Sequence, residues 1–98
     1  MIIKNITTSG SAITLIEKGS LISGNISKII ISNNSDNPAT IIIDLFDGDS
    51  TVFYICKNVV IPKGVVLVLD NDLAFSSKRF NLRIYNTGTG PDLTIRVK

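Results

Sequence analysis

Apolar residues in this chain come in short runs separated by clusters of Gly, Asn, Asp, Ser and Pro. Runs of about four to eight residues with turn signals between them predict strands, and their close spacing predicts an all-β sandwich or barrel. Strands are expected at Ile2 to Thr7, Ala12 to Lys18, Ile26 to Ser32, Ala39 to Phe46, Ser50 to Lys57, Val65 to Asp70, Phe80 to Asn86 and Asp92 to Lys98. Asn58 to Gly64 ("NVVIPKG") is expected as an edge segment ahead of the Val65 strand, because Pro62 lacks a donor for a central ladder and Gly64 permits a turn. "NNSDNP" reads as a dense turn, Asp47-Gly48 as a hairpin, and Asn71 to Lys78 as mostly loop. No room is left for a helix longer than a turn.

The runs are of two kinds. In the last two, apolar and polar positions alternate: Phe80, Leu82 and Ile84 oppose Asn81, Arg83 and Asn86, and Leu93, Ile95 and Val97 oppose Asp92, Thr94, Arg96 and Lys98. One face of each meets a core and the other meets water. Ile41 to Ile43, Val52 to Cys56 and Val65 to Leu69 do not alternate. A strand in a sandwich turns only one face to the opposite sheet, so the second apolar face requires a cover: a loop, the N-terminal arm or another subunit. Ile42, Phe53, Ile55, Val66 and Val68 are the expected second-face, interface residues. A one-residue change of register would exchange this set for its neighbours.

At 98 residues the chain is expected to form a single β-sandwich domain over residues 1–98, Ig-like or jelly-roll-like, antiparallel, with roughly seven to nine strands and no substantial helix. A hydrophobic fraction of 44% and a charged fraction of 18% are those of a globular chain, and the preference for Ile, Val and Leu over Ala favours strands. The net charge of +2 is spread over single lysines and arginines, with Lys78-Arg79 the closest pair, so neither a basic stripe nor an aromatic stacking platform for nucleic acid is visible. No apolar run reaches the length of a membrane span, and the N-terminal segment lacks the apolar stretch of a secretion signal. One cysteine, Cys56, allows no intrachain disulfide, which suits a reducing compartment.

Candidate chemistry is sparse. The chain has no histidine, which removes Ser-His-Asp and Cys-His catalysis and every His-containing zinc site. Cys56 sits among Phe53, Tyr54 and Ile55 with no base in evidence, as a small buried or interfacial side chain would. Asp44, Asp47 and Asp49 miss the spacing of a calcium loop, and Asp70 and Asp72 sit in a turn. "TGTGP" joins two strands and opens no helix, so it is a hairpin loop rather than a phosphate loop. The N-x-S/T triplets at Asn5, Asn25 and Asn33 fit chance in an Asn- and Ser-rich chain. No enzyme, no metal or cofactor, no small-molecule substrate, no nucleic acid and no membrane are expected as part of its function.

Ser27 to Phe75 runs through a strand ending in an Asn/Ser turn, a strand with an Asp-Gly hairpin, an aromatic strand with Phe53-Tyr54-Ile55, then Asn58, Ile61-Pro62 and Gly64, and an aliphatic Leu67 to Leu69 strand. This pattern resembles small β-sandwich virion structural proteins of tailed bacteriophages, the head decoration or auxiliary capsid and tail-associated proteins. "SSKRF" stands where such proteins often carry Gly-Asp before a terminal strand. The resemblance implies a non-enzymatic structural protein of the virion, made in the host cytoplasm. It would self-associate, contact major capsid or tail proteins and stabilise the particle as a decoration subunit, or serve in the tail, neck or a fibre. The alternative from another class is a carbohydrate-binding sandwich module, for which Tyr54 and Tyr85 are the candidate platforms.

Overall fold

A computed structural model describes residues 2–19, 26–70 and 78–98. Eight strands occur among them: β1 (Ile2–Ile6), β2 (Ala12–Ile16), β3 (Ile29–Asn33), β4 (Ala39–Phe46), β5 (Val52–Ile61), β6 (Val66–Leu69), β7 (Asn81–Thr87) and β8 (Leu93–Val97). They form two four-stranded sheets, sheet A in the order β1-β8-β3-β6 and sheet B in the order β2-β7-β4-β5. Every ladder is antiparallel. The pairs β1·β8, β2·β7, β3·β6 and β4·β5 join the first strand to the last, the second to the second-last, and so inward. The chain is thus a long hairpin doubled at residues 47–51 and wrapped so that β3 also meets β8 and β4 also meets β7. That is the strand order of an eight-stranded jelly roll, which settles the choice against the Ig-like alternative. The expected loop at Asn71 to Lys78 lies almost wholly outside the described residues.

The core is an aliphatic layer between the sheets. Ile29 and Ile31 of β3, Leu93, Ile95 and Val97 of β8, Ile41 and Ile43 of β4, and Leu82 and Ile84 of β7 are buried against one another. β-Branched side chains at alternate positions suit this layer because each strand offers one face inward. The "III" run of β4 therefore divides: Ile41 and Ile43 point in, and Ile42 points out beside Tyr85. In β6, Leu67 and Leu69 pack on the core while Val66 and Val68 face outward. Asn86 corrects the expected alternation of β7: it shares the inward parity of Leu82 and Ile84 and is buried, and Tyr85 takes the outer side.

A second correction concerns β5, which runs unbroken through Lys57 and Asn58 to Ile61 instead of stopping at Lys57. Two register shifts against β4, one on each side of Ile43, insert extra residues in β5, and Asn58 adopts φ 56°. Such bulges bend a strand and let it continue past the point where its parity changes. Tyr54 pairs with Asp44 and Val60 with Thr40 on the outer face, while Cys56 and Val59 turn inward. Ile55 also packs on the core, so its expected place on the outer face is wrong. Phe53 pairs with Leu45 and so has inward parity, yet it lies on an edge strand, mostly exposed, with its ring edge-on to Phe80 at 5.7 Å.

All four sheet edges are blunted against strand-to-strand pairing. Lys4 on β1 sits at an inward register position and sends its ammonium to the carbonyl of Thr14 in the other sheet. β2 carries a bulge, β5 carries two irregularities and Lys57, and β6 is four residues long. Inward lysines, bulges and short edges are the usual means of denying a partner strand a regular ladder.

Candidate interaction surface

Cross-strand neighbours in a ladder share a face, so the registers assemble the outer surface of sheet B row by row. Thr87, Thr40 and Val60 form one row, and Ala12, Tyr85 and Ile42 the next. Thr14, Arg83, Asp44 and Tyr54 form a third, and Asn81, Phe46 and Val52 a fourth. Arg83 donates to both carboxylate oxygens of Asp44, Nε–Oδ1 at 2.8 Å and Nη2–Oδ2 at 3.0 Å, and its guanidinium lies 4.1 Å from the Phe46 ring centre. The two-pronged geometry and the stacking hold this pair against the sheet better than an ordinary surface ion pair. Lys57 stands over the Tyr54 ring at 4.8 Å. The face is therefore aromatic and aliphatic, with one self-neutralised charge pair at its centre.

The outer surface of sheet A is built likewise. Ile3, Arg96, Ile30 and Val68 form one row, and Asn5, Thr94, Ser32 and Val66 the other. Hydrogen bonds from Asn34 to Thr94 and from Thr94 to Asn5 tie three of its polar groups together. Arg96 is the one charged side chain at these positions.

Large apolar residues that remain 42–63% exposed among the described ones are Ile3, Phe53, Tyr54, Val60, Val65, Val66 and Val68. All but Ile3 belong to β5, β6 or the turn between them, the two edge strands on one side of the sandwich. Of the expected second-face set, Val66 and Val68 lie together on sheet A, Ile42 lies half-buried on sheet B, Phe53 sits at the open edge and Ile55 is withdrawn to the core. Sequence alone did not place Tyr54 and Val60 in the second-face set, since the odd-numbered Phe53 and Ile55 were expected outside and β5 pairs with β4 in the opposite parity.

The turns at one end of the sandwich are held by Asn33, which is buried. Its amide donates to the carbonyls of Ile61 and Asn37, both at 2.9 Å, and its carbonyl oxygen accepts from the Ser35 amide at 3.1 Å and hydroxyl at 2.8 Å. Both amide hydrogens are thereby used, and the side chain is not open to glycosylation. The triplet at Asn25 lies outside the described residues. An open cleft of about 590 Å³ beside this hub is lined by Ser32, Asn34, Asp36, Lys63, Gly64 and Val66, among others.

At the other end, the Asp47 carboxylate accepts the backbone N–H groups of Asp49, Ser50 and Thr51 at 2.8–3.1 Å, and Gly48 supplies φ 90°. The Asp49 N–H leads in holding the Asp47 carboxyl below its usual range, against a smaller opposing effect of desolvation. Burial pushes the Cys56 thiol up, the opposite of an activated nucleophile. Among the described residues, no three His, Cys, Asp or Glu side chains are placed to hold a metal ion.

These features define a jelly-roll sandwich whose distinctive surface is apolar and aromatic. No family model, no curated protein and no solved structure matches the chain.

Proposed function

We propose that this protein is a non-enzymatic structural protein of a tailed-bacteriophage virion, a capsid decoration or auxiliary subunit that self-associates and stabilises the particle. The observation that carries the proposal is the composition of the two outer faces. A solvated sandwich normally covers them with Lys and Glu, whereas the outer ladder positions here bear mainly Val, Ile, Phe, Tyr and Thr, with Ala12, Ser32, Asn5 and Asn81. Their only charges are one internal ion pair and Arg96, with Lys57 standing at the β5 edge. Aromatic and Arg enrichment with Lys and Glu depletion is the composition of protein contact surfaces. The virion assignment comes from the pattern in Ser27 to Phe75, since a jelly roll by itself serves many functions.

Mass spectrometry of purified particles tests the proposal. Copies in the hundreds place the chain in the capsid lattice; about a dozen or fewer place it in the tail, neck or a fibre; its absence from particles refutes the virion role. Val68→Glu refines the test. The side chain is half exposed, so the stability change should stay within about 0.5 kcal/mol while incorporation falls.

A carbohydrate-binding role has one observation in its favour: Tyr54 and Tyr85 do lie on the same outer face. Against it, Lys57 stands over Tyr54, in the position a stacking sugar would take. Binding on a glycan array that disappears with Tyr54→Ala would revive that role.

A further inference from the structure

We propose that the outer face of sheet B is the contact between two copies of this chain, related by a two-fold axis; the inference rests on the assembly role above and names its surface. Three observations select both the face and its occupant. The first is charge. In a two-fold contact each group of the patch approaches its own surroundings in the other copy, so an unbalanced charge meets its like. On sheet B the central Arg83 is matched by Asp44 at 2.8 Å within the same subunit, and Lys57 lies on the β5 edge, outside the centre. Sheet A carries Arg96 in its central rows with no carboxylate at any described ladder position, so that face suits a different partner better than its own copy.

The second observation is size. A stable interface buries about 800 Å² on each partner, roughly a seventh of this molecule's 5517 Å², and the broad side of a body measuring 37 × 26 × 19 Å accommodates it. The third is the state of the edges. With β2 and β5 both irregular, two copies cannot readily extend sheet B by pairing edge strands, whereas face-to-face packing needs only side chains. Tyr54 and Val60 are the exposed anchors, with half-buried Tyr85 and Ile42 in the row between them and half-buried Phe46 in the row beyond Tyr54.

Sedimentation equilibrium of the purified chain at micromolar to high-micromolar concentration tests this, with Tyr54→Glu, Val60→Glu and Val68→Glu compared and thermal melts recorded to confirm that each is folded. The wild type is expected to be dimeric. Each sheet B variant should weaken the dimer at least about tenfold with its melting temperature nearly unchanged, and Val68→Glu should dimerise as the wild type does. A monomeric wild type overturns the proposal. So does a dimer that survives both sheet B charges, or one that Val68→Glu alone dissolves. Presence in particles is read separately: a chain found in virions but monomeric in solution removes this inference alone, and a dimer absent from particles removes the virion role alone.

Discussion

Replacing Asn33 by Ala should be among the most damaging polar-to-apolar changes in this protein. Asn33 belongs to β3 of sheet A and donates to the carbonyl of Ile61 in β5 of sheet B, so one amide bridges the two sheets where the turns at 34–38 and 62–65 meet. Truncation removes four hydrogen bonds. Ser35 and Asn37 lie near the surface, where water compensates for much of the loss, but the Ile61 bond is buried and its carbonyl would be left without this donor. At about 1 kcal/mol for each bond not replaced, plus 1–3 kcal/mol for an orphaned buried acceptor, the expected loss is about 3 kcal/mol. For a domain of this size that lowers the melting temperature by roughly 12–24 °C.

Asn33→Asp separates the bonds from the volume. At neutral pH the carboxylate keeps the acceptor for Ser35 but turns a second oxygen toward the carbonyls of Ile61 and Asn37. It should destabilise at least as much as Ala, with partial recovery in acid once the carboxyl can donate. Asn34→Ala, which removes one exposed bond to Thr94, is the control and should stay within about 0.5 kcal/mol. Chemical and thermal denaturation read all three variants. An Asn33→Ala loss below about 1 kcal/mol, or an Asn33→Asp variant as stable as wild type, would refute the bridging role.

Arg83→Lys should cost about 1–2 kcal/mol, because a lysine cannot make both bonds to Asp44 while lying flat on Phe46; denaturation curves no different from wild type would show that the pair is idle. Asp47 has a folded pKa below its reference value of 3.8, so its contribution to stability is complete above that value and is lost as pH falls through the lower folded pKa. An NMR titration placing Asp47 at or above 3.8 contradicts this, and Asp47→Asn should remove that part of the acid dependence. The Cys56 thiol, raised above 9.0 by burial, stays neutral in mild base, and alkylation near pH 8 should be slower in the folded than in the denatured chain. Equal rates would place the sulfur at the surface.

Much of the fold was legible from local pattern. Each strand falls within or near an apolar run bounded by turn residues, and the alternation of β8 put Leu93, Ile95 and Val97 in the core with no reference to the other sheet. The end of β3 was less legible. Asn33 continues the inward parity of Ile29 and Ile31, a signal hidden by its membership of the turn cluster "NNSDNP". Asn86 likewise keeps the parity of Leu82 and Ile84, and its buried amide has no hydrogen-bond partner among the described residues. Polarity suggested the opposite face, and strand geometry overruled it.

The sequence by itself determined that this is a β protein with two-sided apolar strands, because the two-residue repeat and turn chemistry act over a few residues. Only the tertiary structure decided where those second faces lie. Wrapping the doubled hairpin sent Val66 and Val68 to one outer surface and Ile42 to the other, and the register of β5 on β4 placed Tyr54 and Val60 outside while its two bulges turned Cys56 inward. Strand order and bulge position arise from long-range pairing between strands such as β1 and β8, at opposite ends of the chain, which no local window of residues contains.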